Sequence, residues 1–252
     1  MQWEQRRRIG KHNMRRLDLP PPFQLVVLRE VGDAFAHACA HAAELSAGTL
    51  VFVGRFDLAE FAVVLEPEQL LVSARRAFYA CMVALGDALA ARAPPEKPIV
   101  IAWPDAIYVD CGLIGGGRLA WPDHVDEQTA PDWLVFGAAI RIFSLSPQEA
   151  GLHPLSTALA DESFGDVSAE RLVEGFARHL MVALDRWREE GFAPIATEYI
   201  SKLKPESGLR HDIGENGDLG VWRASKRVER WSLLPALKTP SWLDPKTGGP
   251  RL

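Results

Sequence analysis

Three consecutive glycines interrupt what otherwise reads as a strand: Ile101-Ala-Trp-Pro-Asp-Ala-Ile-Tyr-Val-Asp-Cys-Gly-Leu-Ile-Gly-Gly-Gly-Arg-Leu119. The run reads as one strand, a turn near Cys111-Gly112, and a returning strand with Gly115, Gly116 and Gly117 near its start. Glycine in a strand interior costs roughly 0.5–1 kcal/mol relative to alanine. Three together therefore point either to close approach of backbone to a ligand or another chain segment, or to a bulge in a crowded sheet.

The elements around this segment follow from periodicity. Phe23–Leu28, Gly48–Val53 and Glu60–Leu65 are β-branched or aromatic-rich and predict strands. Val31, Phe35, Ala38, Ala42 and Leu45 recur at helical spacing and predict a helix over 31–46. A longer helix is expected over 69–92, with Phe78, Met82, Leu85 and Leu89 on one face and Ala93-Pro-Pro-Glu96 ending it. Further strands are expected at Ile99–Trp103, Ile107–Asp110, Leu113–Trp121 and Trp133–Phe143. Ser168 is a fitting cap for a helix that Gly191 terminates, with Leu172, Phe176, Leu180, Leu184 and Trp187 on its face. A shorter helix should follow over 193–203. Asn216-Gly217 is a strong hairpin signal between Leu209–Gly214 and Asp218–Arg223, and Val228–Leu234 predicts a third strand. The fold class is α+β: a mixed sheet flanked by helices, with a small C-terminal β module. The expected organisation is a basic, flexible lead over 1–19, a core domain over 20–204 and a β-rich module over 205–252.

Composition sets the function classes. The chain has 252 residues, 48% hydrophobic and 24% charged, with a net charge of -5. That is a globular profile without the basic surplus of nucleic-acid or membrane-surface binders. Apolar runs such as Trp133–Ile140 fall well short of a bilayer span. Arg6, Arg7, Arg8, Lys11, Arg15 and Arg16 precede Pro20-Pro21-Pro22 where a signal peptide would have an apolar stretch, so export is not expected. Met14 reads as an alternative start. Three cysteines, Cys39, Cys81 and Cys111, are too few for a disulfide framework, and a cytoplasmic setting is expected.

The segment around the glycines resembles the motif of the biotin protein ligases, in which Lys-Trp-Pro-Asn-Asp is followed by a hydrophobic strand, a turn and Lys-Leu-Ala-Gly-Ile. Trp103-Pro104-Asp105 and Gly116 fall in register with it. Trp133–Ile142 stands where that family has the strand leading to its Gly-Ile-Asn segment, and Glu190-Gly-Phe-Ala-Pro194 resembles the start of its last core helices. The chain is thus similar, over about residues 20–235, to a divergent branch of the biotin/lipoate A/B protein ligase family.

The resemblance implies attachment or transfer of a biotinyl-, lipoyl- or octanoyl-type acyl group to a carrier-protein lysine. It implies biotin, lipoate or octanoate as ligand, ATP with Mg where an adenylate is made, and a biotinyl or lipoyl carrier domain as partner, with no nucleic acid or membrane. The implied ligand-binding residues are Trp103, Asp105, Gly115, Gly116, Gly117, Arg118 and Arg55; no catalytic residue and no metal ligand is assigned. Two family features are missing. The Gly-Arg-Gly-Arg loop is absent between Gly54-Arg55 and Glu60, and the motif lysines are replaced by Leu113 and Ala102, with no lysine between Lys97 and Lys202. Arginine cannot accept a proton but can hold a carboxylate or phosphate. The alternative function is therefore a non-catalytic small-molecule or acyl-carrier binding relative.

Weaker signals have ordinary counterparts. Arg55, Arg118 and Arg141 either meet a ligand or pair with carboxylates such as Asp105 and Asp110. Trp103, Tyr108 and Trp121 either line a pocket or fill the core. Cys111 at its turn is either an acyl-carrying thiol or incidental, and Cys81 is expected in the core. His37 and His41 share a helical face at metal-ligand spacing, but no third ligand completes a site. Neither a Gly-x-Ser-x-Gly elbow nor a phosphate-binding loop is present.

Overall fold

The computed structural model describes residues 17–144 and 155–252. Seven strands form one sheet: β1 (Gln24–Leu28), β2 (Thr49–Val53), β3 (Leu58–Leu65), β4 (Ile99–Ala102), β5 (Ala106–Val109), β6 (Gly112–Ala120) and β7 (Leu134–Arg141). Their order is β1-β2-β3-β7-β6-β5-β4. Only the β1–β2 pair is parallel; the remaining pairs are antiparallel. Beyond β4, Ile101 exchanges backbone hydrogen bonds with Lys202 and Lys204, at 2.8 and 3.1 Å.

Period-two alternation gives the sheet two unlike faces. One turns Phe52, Phe61, Phe136, Ile107, Ile114 and Leu119 toward α3 (Ala77–Ala90) and α4 (Ala169–Glu190). Phe176 of α4 stacks on Phe136 and tilts against Phe61, with centroids 5.7 and 4.6 Å away. The other face is covered at one end by α1 (Ala34–His41), packed on Val51, Val53, Ala62, Val64 and Val135.

Caps explain the helix limits. The Ser168 hydroxyl accepts from Arg171 N–H at 3.3 Å, and Gly191 at φ 82° ends α4, as its residue types predict. Helix α1 is shorter than the expected 31–46. Asp33 caps it by accepting from Ala36 N–H at 2.8 Å, which leaves Val31 outside the helix and 98% exposed. The helix expected over 69–92 is two: α2 (Leu71–Ala74) and α3. Between them Arg76, Phe78 and Tyr79 donate to residues three positions back. The buried Arg75 side chain at this break reaches Asn216 O at 2.9 Å and Glu127.

After α5 (Ala193–Ser201), β8 (Leu209–Ile213), β9 (Leu219–Arg223) and β10 (Lys226–Trp231) form a separate antiparallel sheet. Asn216-Gly217 does make the turn between β8 and β9, with Gly217 at φ 81°. Gly217 O accepts from Tyr79 O–H at 2.5 Å, so the turn docks on α3. The third strand stops earlier than expected. Ser232 leads into α6 (Leu233–Lys238), whose first N–H donates to Asp218 Oδ1 at 2.9 Å.

The lead expected over 1–19 lies outside the described residues as far as residue 16. Leu17 is already buried, and Asp18 N–H donates to Glu174 at 2.9 Å. Among the described residues no helix is long and apolar enough to cross a membrane.

Candidate functional site

The α1-side face carries the charged and small residues. Hydrogen-bonded register lines up Ala106 of β5, Gly116 of β6, Ala139 of β7 and Glu60 of β3 in one row across the sheet. The next row holds Arg118, Gly137 and Ala62. A shelf of small residues thus ends at a carboxylate on β3, and the row that carries Arg118 on β6 runs beside it, about 7 Å along the strands. Gly137 has a structural reason: a Cβ there would meet Phe35 Cδ2 at 2.5 Å, so its absence seats α1.

The polar groups hold one another. Glu60 is 8% exposed and accepts from Ala34 N–H at 3.0 Å, at the start of α1. Burial raises its pKa, while the Ala34 bond and the two arginines pull it back. Arg118 stacks on Phe35, 4.1 Å from the ring centre, and its Nη2 lies 3.2 Å from Asp33. Burial depresses the Arg118 pKa, against the pull of Asp33 and Glu60. Arg55 donates through two nitrogens to Asp57, at 2.8 and 2.6 Å, and lies 3.9 Å from Glu60. Asp57 in turn accepts, through its backbone carbonyl, from Ile142 N–H at 2.8 Å. The partners are therefore Asp33 and Asp57, rather than Asp105 or Asp110. Arg141 meets backbone carbonyls instead, donating to Pro250 at 2.9 Å.

Of the seven expected ligand residues, the fold brings Gly116, Arg118 and Arg55 to this face. The three glycines have different neighbours. A Cβ on Gly117 would strike Met82 Sδ at 2.6 Å, on the α3 side. Gly115, at φ 145°, presses on the Ala139 carbonyl beside a register shift in β5. A Cβ on Gly116 would strike the Asp105 carbonyl first and then Trp242 Cδ1. Asp105 is 1% exposed and binds Ser241, accepting from its N–H at 2.8 Å and its hydroxyl at 2.6 Å. Its pKa is raised to about 6 by burial, against the Ser241 hydrogen bonds. Trp103 lies elsewhere, donating to Tyr79 Oη at 3.1 Å and packing against Trp231.

The motif-lysine position is apolar. Leu113 packs in a cluster of its own with Leu58, Ala106, Ala139 and Trp242, separate from the main core. No sequence signal singled out Trp242 or Ser241; the small row Ala106–Gly116–Ala139 that Trp242 covers exists only in the folded register.

The remaining candidates resolve as follows. Tyr108 edges the Trp242 cluster, and Trp121 packs on the main core. Cys81 is fully buried, and Cys111 is exposed at its turn with φ 69°. Burial pushes the Cys39 thiol up to about 11. The rings of His37 and His41 stack with centroids 4.3 Å apart. Among the described residues no three or more His, Cys, Asp and Glu side chains group to hold a metal ion. A cleft of about 710 Å³, lined by Phe23, Leu65, Leu134, Leu180, Leu184 and Trp187, holds none of the expected residues.

Comparison with known proteins adds the following. Residues 19–201 match the biotin/lipoate A/B protein ligase family. A search of curated sequences gives no match. Among solved structures, a biotin protein ligase-like protein of unknown function from Silicibacter sp. TM1040 superposes with a TM-score of 0.75 at 27% identity, over 87% of this chain and 98% of that one. The biotin protein ligase from Aquifex aeolicus superposes at 0.62 and 17% identity, over 83% and 95%. The same ligase in complex with biotin and ATP superposes at 0.61 and 16%, over 81% and 95%. At these identities the Aquifex structures establish a shared fold.

Proposed function

Because the chain belongs to the biotin/lipoate A/B protein ligase family, we propose that it attaches or transfers a biotinyl-, lipoyl- or octanoyl-type acyl group to a carrier-protein lysine. The observation that carries this reading is the α1-side row. Ala106, Gly116 and Ala139 make a shelf beneath Trp242 that would seat a ring or acyl chain in place of that side chain, and Arg118 and Arg55 stand at its polar end. Guanidinium groups pair with carboxylate and phosphate, often through two parallel hydrogen bonds. An acid laid on the shelf would present its carboxylate there, displacing or sharing the Asp33 contact of Arg118. The Aquifex ligase of the same fold was solved with biotin and ATP, which supports an acid plus a nucleotide as the ligand class. ATP would supply the activated phosphorus for acyl-adenylate formation, with Arg118 and Arg55 as the nearby cations for its negative charge.

One observation favours a second reading, a binding relative without ligase activity. Leu113 occupies the motif-lysine position inside an apolar cluster. Without that lysine the face holds an anion better than it stabilises a reaction.

Thermal unfolding of the full chain with biotin, lipoate or octanoate, each with and without ATP and magnesium, separates the two. A ligand at a hundredfold over its Kd should stabilise by about 2.7 kcal/mol. Stabilisation by acid plus ATP, with mass gain on a carrier lysine, is the expected result. Stabilisation by acid alone, with no acylated carrier, selects the binder. No stabilisation by any of them overturns both.

A further inference from the structure

Past α6 the chain folds back over the large sheet. Trp242 is 1% exposed, lies against Gly116, and donates its indole N–H to Gly117 O at 2.9 Å. Ser241 ties the same point to Asp105 through two hydrogen bonds. A loop over 244–249 follows, closed by Asp244 N–H to Gly249 O at 2.9 Å. Arg251 N–H then returns to Trp242 O at 2.8 Å, and Arg141 holds Pro250 O.

This is a small anchorage. From residue 239 to 251 only Trp242 and Pro250 are buried. Trp242 also packs in a cluster apart from the main core, with Leu58, Leu113, Ala106 and Ala139 as walls. Segments with few buried contacts and exposed backbone open locally, well below the cost of global unfolding. What such an opening uncovers is specific. The row Ala106–Gly116–Ala139 lies beneath the Trp242 ring, walled by Leu58 and Leu113, with the Gly117 carbonyl as acceptor for its N–H and Arg118 one row further on, so the space that the ring vacates is the size of an indole.

We propose that Trp242 is a built-in plug: segment 239–251 closes a slot over Gly116 that takes a flat bicyclic ring bearing an N–H donor, and ligand enters only when the segment swings away. That the slot is the ring-binding end of the acyl site rests on the function proposed above; that it is a gated slot does not.

The test uses the full chain carrying Trp242→Gly, with free indole as the probe in calorimetry. The variant should bind indole, while the wild type binds it at least about tenfold more weakly because its own ring competes. In the wild type, amide hydrogens over 239–251 should exchange at least about tenfold faster than those of β6 and β7. A folded Trp242→Gly protein that takes no indole at millimolar concentration overturns the proposal. So does a wild-type segment as protected as β6. If Trp242→Gly fails to fold, Ser241→Ala carries the exchange test: it should speed exchange over 239–251 alone, and equal effects on β6 overturn the plug. Biotin displacing indole from Trp242→Gly identifies the slot with the acyl site. Indole bound but undisturbed by biotin, lipoate and octanoate leaves the gated slot standing and removes the acyl-group reading.

Discussion

The two faces of the seven-stranded sheet are made by alternate residues of the same strands, yet they have opposite chemistry. In β7, Leu134, Phe136, Ala138 and Ile140 point into the main core, while Gly137 meets Phe35 of α1, Ala139 meets Trp242 and Arg141 meets Pro250 on the other face. In β6, Ile114 and Leu119 go one way and Leu113, Gly116 and Arg118 the other. The first face is closed by two long helices through aromatic and aliphatic packing. The second is closed in patches by α1, by a network of charges and by the folded-back segment. Strand parity thus divides the labour: the α3/α4 face supplies cohesion, and the other is left free to carry glycines and charges that a core would not tolerate.

The comparison is broken most severely on the helix side. Phe136→Ala removes a ring stacked on Phe176 and should cost about 3–5 kcal/mol in denaturant unfolding. A cost near that of an exposed substitution would mean the cohesive face has been misjudged.

Next in size is the pH response of the other face. Asp105, ordinarily near 3.8, is raised to about 6 by burial, which outweighs the opposing Ser241 hydrogen bonds. A raised carboxylate favours the protonated fold, so its contribution is present below pH 4 and lost as pH climbs through about 6. The loss is at most about 3 kcal/mol. Asp105→Asn should abolish the difference, and the comparison of the two proteins across pH 4–7 isolates this group from Glu60. Identical profiles would remove Asp105 from the account.

Arg118→Ala strips Phe35 and Asp33 of their shared partner and should cost about 1–2 kcal/mol, while weakening acid binding by more than it weakens the fold. Unchanged affinity for the acid would show that Arg118 is only a strut for α1. The smallest effect is expected at Cys111. Exposed at its turn, it should tolerate serine within about 0.5 kcal/mol. Loss of carrier acylation in Cys111→Ser would instead mark a thiol-bound acyl group.

Local signals predicted local structure well. Ser168 and Gly191 mark the ends of α4, and Asn216-Gly217 makes its turn, because each acts within a few residues of itself. The same holds for the strand order of residue types on either side of the glycines. Helix α6 was missed although Ser232 and Pro235 are start signals, since Val228–Leu234 also suits a strand. The candidate site was legible only in part. Gly116, Arg118 and Arg55 share a face, but their neighbours come from far along the chain. Arg118 meets Asp33 across 85 residues, and Asp105 meets Ser241 across 136. Periodicity carries no information about which distant carboxylate a buried arginine will choose. The glycine run predicts either close approach of a ligand or chain segment or a bulge in a crowded sheet, and what it meets is the protein's own atoms: Gly115 and Gly116 press on the Ala139 and Asp105 carbonyls beside a register shift, Trp242 also lies against Gly116, and Gly117 meets Met82 and Phe136.

The bonds between Ile101 and residues 202–204 have a consequence for self-association. Those residues cover the outer rim of β4, where an unpaired row of N–H and C=O groups would otherwise invite a strand from another molecule. Among the described residues the opposite rim, β1, pairs on one side only, and its five residues begin one residue after Pro20-Pro21-Pro22. Prolines lack the donor that a lengthened strand would need, so growth of the sheet into a filament is blunted at both ends by different means: a covering segment at one, and at the other a five-residue strand that the prolines keep from extending.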